Sequence, residues 1–297
     1  MNNIKNEFSI KDLEHLSGIK AHTIRIWEKR YNLLAPNRTE TNIRTYSIES
    51  LQKLLNITAL YNNGLKISKI AKLTPEEIIE KAKELAISSN ENHLLNTFKI
   101  AALNFDKALF INTFKNLEEE KTFSEIFYEV FIPLLEEIGF LWQTNTITPA
   151  QEHFISELIK QKILVNTEQF QTAEIKKHDR VYALFLPENE IHELGLQFVN
   201  FELTKLGYQT IYLGASVPSK SLEDLLTHYD HVDFISYFTI KPDTDNIDNY
   251  LNSFYNTLLK KENKLHILGR LALEIDESSI NKKIKRYTSI KNLVDSI

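Results

Sequence analysis

Hydrophobic positions along the 297 residues change rhythm twice. In the first stretch they recur at helical spacing in short runs separated by polar turns. From Asn92 to Phe170 they form long helical stripes with no strand alternation. After His178-Asp179, short apolar runs alternate with helical ones. This predicts three domains: residues 1–75, a four-helix bundle at 92–175, and an α/β doubly wound parallel sheet at 178–297, with 76–91 as a linker.

In the first stretch Ser9 is a natural N-cap with Asp12 three residues later, Leu13 and Leu16 continue the apolar face, and Gly18 stops it. Ile24, Trp27 and Tyr31 predict a second helix from Thr23 to Leu34. Pro36-Asn37-Arg38 and Ile43-Arg44-Thr45-Tyr46 read as two extended arms around a polar loop. Ser47 caps a third helix reaching Tyr61, and Leu65 to Leu73 supplies a fourth. Helix, Gly-containing turn, helix and wing make a winged helix-turn-helix, all-α apart from its small wing. Thr74-Pro75-Glu76-Glu77 then opens a short helix before the polar Ser88-Ser89-Asn90-Glu91.

In the bundle, stripes begin at Leu94, Ala108 and Phe123, and a fourth runs from Pro149 through Ile163. Thr148-Pro149-Ala150-Gln151 is a capping box with proline at the first helical position. Beyond it, strands are predicted at Val181–Leu186, Gln209–Leu213, Phe234–Thr239 and His266–Leu268. Helices are predicted at Ile191–Leu206, Lys220–Tyr229, Thr244–Lys260, Ser279–Lys283 and Ile290–Ile297.

Charge sharpens this division. Residues 1–75 hold 8 Lys and 4 Arg against 6 acidic residues, a net of +6, which leaves −11 for the remainder. A basic head on an acidic body suits a nucleic-acid module joined to something else. With no cysteine, disulfides, zinc-thiolate sites and thiol catalysis are excluded. No run of 18 apolar residues and no charged-then-apolar leader is present, so a soluble, cytoplasmic protein without membrane contact is expected. The runs Glu118-Glu119-Glu120 and Lys282-Lys283-Ile284-Lys285-Arg286 read as solvated faces.

The second helix exposes Arg25, Lys29 and Arg30, with His22 and Thr23 near its start, where base edges are met; Arg38 and Arg44 sit on the wing. Phe8-Ser9-Ile10, the run Thr23 to Tyr31, Pro36-x-Arg38 and Arg44-Thr45-Tyr46 together resemble the DNA-binding domain of the MerR family. The resemblance spans residues 6–75. It implies that His22, Thr23, Arg25, Lys29, Arg30, Arg38, Arg44 and Tyr46 form the interface with a double-stranded operator, and that the chain acts as a homo-oligomer, a dimer or tetramer. The long dimerisation helix usual after that domain is not evident, so oligomerisation is expected to come from elsewhere.

Glu190-Ile191-His192-Glu193-Leu194-Gly195 follows the first predicted strand of the last domain, at the edge where open α/β sheets bind ligands. A His there can offer imidazole to a metal while a carboxylate two residues earlier holds its other nitrogen. Glu-x-His-x-x-Gly resembles the loop of Rossmann-like cobalamin-binding domains, and implies His192 as lower axial ligand to cobalt, supported by Glu190 and Gly195. Gly214, Ser216, Ser236 and Gly269 fall where such domains line the cofactor. The second glycine of the usual pair is Arg270, and Tyr237 and Phe238 add bulk. In the bundle, Trp142 followed ten positions later by Glu152-His153 resembles the part of MerR-type cobalamin photoreceptors that covers the upper face of adenosylcobalamin. A second His commonly follows that Trp; here it is Gln143.

Together these resemblances imply a non-enzymatic regulator, a repressor, whose operator affinity and oligomeric state respond to adenosylcobalamin and to light. The alternative is a MerR-type regulator without cofactor, its degenerate last domain serving oligomerisation or partner binding. A corrinoid enzyme is the third class, and no catalytic partner domain accompanies the chain's DNA-binding head.

Overall fold

Side-chain caps set the first element boundaries. Ser9 accepts the Asp12 backbone N–H at 3.2 Å and the Asp12 carboxylate accepts the Ser9 N–H at 2.8 Å, which starts the helix Ile10–Ser17; Gly18, at φ 71°, ends it. The structure, a computed structural model, describes residues 7–38, 43–88, 90–143, 146–171, 177–242, 247–276 and 280–297. Contacts divide it into two units, Met1–Glu157 and Leu158–Ile297, so the helix-turn-helix and most of the bundle share one unit.

In the first unit the short strand β1 (Glu7–Phe8) precedes that helix, and the second helix is Ala21–Tyr31. It starts two residues earlier than the apolar spacing predicts. It stops before Leu34 because Asn32 adopts a left-handed conformation; Leu33 and Leu34 are buried beyond the helix end. β2 (Asn37–Arg38) and β3 (Arg44–Ser47) form the wing, with Arg38 opposite Arg44; β1 pairs along the other side of β3. The wing tip, 39–42, lies outside the described residues. Helix Ile48–Asn62 follows, capped by Ser47, and the expected fourth helix is the single turn Ile67–Ile70.

The expected linker is itself helical. Thr74 and Glu77 exchange side-chain and backbone hydrogen bonds at 2.8 and 3.2 Å and launch Pro75–Ser88, whose Ile78 and Ala82 are buried one turn apart. Of the expected polar break, Ser89 lies outside the described residues, and Asn90–Asn104 begins directly after it.

The bundle matches its predicted stripes: Asn90–Asn104, Lys107–Glu118, a long helix from Phe123 to Gln143, and Pro149–Glu168. Phe98, Phe110, Phe114, Phe127 and Phe131 are fully buried, and the rings of Phe110, Phe114 and Phe131 stack at 5.8–6.4 Å. The long helix passes through a π-helical turn, Phe127–Phe131, just ahead of Pro133. Proline has no N–H to donate, and a wider turn accommodates the missing bond.

The second unit is a five-stranded parallel sheet: β4 (Lys177–Phe185), β5 (Tyr208–Gly214), β6 (Val232–Tyr237), β7 (Lys264–Leu268) and β8 (Ile284–Arg286) in the order β5-β4-β6-β7-β8. The order reverses at β4, so the loops after β4 and β6 diverge there and open a ligand crevice. Helices Leu194–Lys205, Leu225–His228 and Ile247–Leu258 form the crossovers, and Ile290–Ser296 closes the unit.

Two expectations need amending in this unit. Lys282 and Lys285 of the Lys-rich run are exposed as expected, but its last three residues form the edge strand β8. Ile284 anchors it, Lys283 Nζ caps the Leu259 and Lys261 carbonyls at 2.9 and 2.5 Å, and Arg286 binds those of Leu273 and Ile275. The helix expected at 279–283 is absent over 280–283, and a short helix stands instead at Arg270–Glu274, directly after β7. Residues 277–279 and the start of the expected Thr244–Lys260 helix lie outside the described residues.

At the opposite end of the strands from the crevice, buried Asp233 accepts from Arg180 at 2.5 Å and from the Lys264 N–H at 3.1 Å, with His266 Nε2 at 3.5 Å. Burial alone would raise the Asp233 pKa, but hydrogen bonds from His266 and Arg180 outweigh it and hold it below its usual value. The folded carboxylate thus stays charged to lower pH than the unfolded one. Its contribution is present above the ordinary aspartate pKa and is lost as pH falls below that value. In urea unfolding, Asp233→Asn is expected to be less stable than wild type by about 2 kcal/mol at neutral pH, a gap that narrows as pH falls below the ordinary aspartate range.

Candidate functional site

Glu190 organises the crevice. Its side chain is fully buried, and six hydrogen bonds converge on the two oxygens. Oε1 accepts the backbone N–H groups of Ile191 and His192 at 2.9 and 3.1 Å and lies 2.6 Å from His192 Nδ1. Oε2 accepts the N–H groups of Thr239, Ile240 and Lys241 at 3.1, 2.7 and 3.0 Å, from the loop that follows β6. Burial alone would raise this acid's pKa; the His192 hydrogen bond and the backbone donors overcome it and lower the value to about 2.

The loop after β5 is tied to the same point. The Ser216 N–H donates to the Glu190 carbonyl at 3.1 Å, and the Asn189 N–H donates to Ser216 Oγ at 3.1 Å. Gly214, at φ 80°, turns the chain out of β5. Ser236 is buried and donates to the Phe185 carbonyl at 2.9 Å, so it holds two strand ends together. Beside His192, Glu193 accepts from Lys160 at 2.6 Å and from the Tyr212 hydroxyl at 3.1 Å.

In the neutral imidazole, Nδ1 donating to Glu190 leaves the lone pair on Nε2, the arrangement that suits a metal ligand. The imidazole is half exposed. Large apolar side chains on the same three loop ends are also exposed: Ile191 at 65 %, Ile240 at 49 % and Leu213 at 39 %. Among the described residues no group of three or more His, Cys, Asp or Glu could hold a bare metal ion. A single oriented imidazole within an apolar rim fits a metal that arrives inside a flat macrocycle supplying its remaining ligands.

Gly269 has φ 95°, and a β carbon there would lie 2.4 Å from the Phe238 carbonyl oxygen, so the position admits only glycine. Arg270 is exposed, and Phe238 is fully buried against Tyr250. The bulk of Phe238 is thus taken up in the core rather than at the loop ends. Tyr237 packs against Gly195.

In the first unit, Trp142 stands at the end of the helix Ile132–Gln143, 50 % exposed. The Gln143 side chain lies outside the described residues. The Thr148–Gln151 capping box forms, and the Gln151 amide also donates to the Leu103 carbonyl at 2.8 Å, fixing the helix start to the bundle. Glu152 accepts from Ser156 at 2.7 Å and pairs with His153 at 2.8 Å, and the His153 side chain is exposed.

On the helix-turn-helix, His22, Arg25, Lys29, Arg30 and Arg38 are exposed, and Thr23 and Arg44 half-buried. Tyr46 corrects an expectation: it is fully buried, its hydroxyl donating to Glu28 at 3.0 Å. Glu28 also accepts from Arg44 Nε at 3.1 Å. Tyr46 therefore positions the wing against the second helix and does not itself reach DNA. Nothing in the sequence marked Glu28 for that role.

Family comparison agrees with the helix-turn-helix and the bundle. Residues 8–77 match the family described as MerR HTH family regulatory protein, and residues 94–165 match the B12 binding domain. The chain thus carries a MerR helix-turn-helix domain followed by a helical B12 binding domain, and it is homologous to transcriptional repressors. The HTH-type transcriptional repressor CarH of Myxococcus xanthus is 28 % identical over 222 residues, 72 % of this chain and 73 % of that protein. CarA of the same organism is 27 % identical over 222 residues, 72 % and 70 % of the two chains. Among solved structures, the Methanosarcina barkeri monomethylamine corrinoid protein covers 69 % of this chain and 99 % of its own, with a TM-score of 0.56 at 14 % identity; the two share a fold. No helix among the described residues is long and apolar enough to cross a membrane.

An amide in place of the Glu190 carboxylate would turn an NH2 group toward backbone donors. Glu190→Gln is expected to lower the unfolding free energy by about 3 kcal/mol, read by urea denaturation, and to speed amide exchange at 239–241.

Proposed function

We propose that this protein is a DNA-binding transcriptional repressor whose oligomeric state and operator affinity are controlled by adenosylcobalamin and light. The observation that carries the reading is the Glu190–His192 pair, which presents one oriented imidazole at a crevice edge rimmed with apolar side chains. The B12 domain match and the homology to the two repressors support it over a cofactor-independent regulator. When bound, the cofactor would be held through its cobalt by the His192 imidazole and would supply a light-sensitive cobalt–carbon bond.

The chain's own residues supply the rest. Glu190 fixes the tautomer and direction of His192, and Gly214, Ser216, Ser236 and Gly269 shape the loop ends around it. Gly195 leaves the first turn of the next helix without a side chain. Trp142, Glu152 and His153 serve the adenosyl group. On DNA, Arg25, Lys29 and Arg30, with His22 and Thr23, meet the major groove or its phosphates, while Arg38 and Arg44 hold the backbone from the wing. Control requires that the ligand favour one assembly state over another, since equal affinity for both shifts nothing.

Full-length protein mixed with adenosylcobalamin in the dark and passed through gel filtration is expected to elute coloured, with a shifted absorption spectrum. His192→Ala should abolish the shift, and illumination should change both spectrum and elution volume. Colourless protein that still binds its operator would sink the cofactor reading. In operator titrations at several salt concentrations, Arg25→Ala is expected to weaken binding about tenfold and to reduce the salt slope by about one. A salt-independent loss would point to misfolding instead.

A further inference from the structure

Lys99 is buried where three helices meet, its side chain 8 % exposed. It stands on the bundle helix Asn90–Asn104, directly after the core residue Phe98. Its ammonium donates to the Glu137 carboxylate at 2.6 Å, on the helix Ile132–Gln143, and to the Leu16 carbonyl at 3.5 Å. Leu16 belongs to the last turn of Ile10–Ser17, where a helix leaves its own carbonyls without intrahelical donors. The helix dipole favours a cation there as well. One side chain of the bundle thus grips the first helix of the DNA-binding head.

The grip continues to the helix that carries Arg25, Lys29 and Arg30. Two residues before Leu16, the Glu14 carboxylate accepts the N–H of Ala21 at 3.2 Å, and Ala21 is the first residue of that second helix. Polar contacts therefore run from Glu137 through Lys99 to the first helix, and from the first helix to the start of the second. Each of them depends on direction. An apolar side chain of similar volume would fill the place of Lys99 without fixing an angle, and a buried ion pair adds little stability over such packing. What this pair adds is one attitude of the head to the bundle.

For an oligomer on DNA that attitude sets geometry. Each base pair added between two half-sites turns one of them about 35° round the duplex and moves it about 3.4 Å. A head held at a fixed angle cannot follow such a rotation, whereas a loosely held one can. We propose that Lys99 is a specificity-determining residue for DNA: by pinning the head to the bundle, it restricts the repressor to operators with one half-site spacing. The proposal rests on the reading above that the chain binds its operator as an oligomer.

The test uses the full-length protein with adenosylcobalamin in the dark. Sites are selected by wild type from a random-sequence duplex library. Wild type and Lys99→Met are then titrated with the selected duplex, with versions lengthened or shortened by one or two base pairs between half-sites, and with a single half-site. Methionine keeps the length of the side chain and loses the charge. Glu137 is 43 % exposed and can turn its freed carboxylate to water, so the variant is expected to fold, which unfolding midpoints check. Wild type is expected to lose at least about tenfold in affinity at each altered spacing. Lys99→Met should lose about twofold or less on the same duplexes and bind the single half-site as wild type does. The wild-type titrations need no variant. Wild type that tolerates the altered spacings, or Lys99→Met that keeps the wild-type penalty, would overturn the inference and leave the DNA-binding reading intact. Weaker binding of the variant to the single half-site would also overturn it, in favour of a merely structural role. If wild type selects only single half-sites, the oligomeric reading falls, and the inference with it.

Discussion

A carboxylate removed from water is stable only if its surroundings replace the lost hydration, and Glu190 meets that requirement with six donors. Five of them are backbone N–H groups that would otherwise be stranded at the ends of two loops. The ion therefore satisfies the loops as much as they satisfy it. Because the donors come from the segments after β4 and β6, which diverge at the reversal of strand order, the carboxylate closes the sheet where it would gape. The direction of His192 is a by-product of that closure. Glu here reaches one methylene further than Asp would, and the reach is what lets Oε2 span to 239–241.

The helix-turn-helix solves a related problem with a less buried acid. Glu28 sits on the second helix and draws in Arg44 and Tyr46 from β3. A two-stranded wing is too small to hold itself, since an isolated hairpin is at best marginal in water. β1 on one side of β3 and the Glu28 clasp on the other give it a fixed attitude to the helix that bears Arg25, Lys29 and Arg30. The same clasp neutralises part of the wing's charge, so Arg44 contributes less to the field around this domain than its count in the sequence suggests.

What the sequence disclosed depended on range. Capping boxes at Ser9 and Thr148 and the stripes of the bundle are local, and each appears where its residues place it. The strand–helix alternation after Asp179 was equally legible from periodicity, and Glu-x-His-x-x-Gly marked the ligand edge. Misread features had long-range causes. β8 carries one buried apolar residue, Ile284, and owes its place to Lys283 and Arg286 capping carbonyls elsewhere in the unit, which no window along the chain could show. Tyr46 looked like a DNA contact because its motif says nothing of burial. The helix opened at Thr74 was expected to be short because of the polar residues ahead of it, yet it runs from Pro75 to Ser88, with Ile78 and Ala82 buried one turn apart.

The π-helical turn at Phe127–Phe131 has a further effect. Widening one turn inserts a residue into the spiral, and each residue advances the helix by about 100°. Everything beyond it, from Ile132 to Gln143, is rotated by that angle relative to a continuous helix, while the upstream stripe of Phe123, Ile126 and Phe127 keeps its own bearing. The turn works as a fixed phase shift between the segment that packs the bundle and the segment that ends in Trp142. The compass heading of that indole is thus set nine residues upstream, by the absence of a single N–H at Pro133.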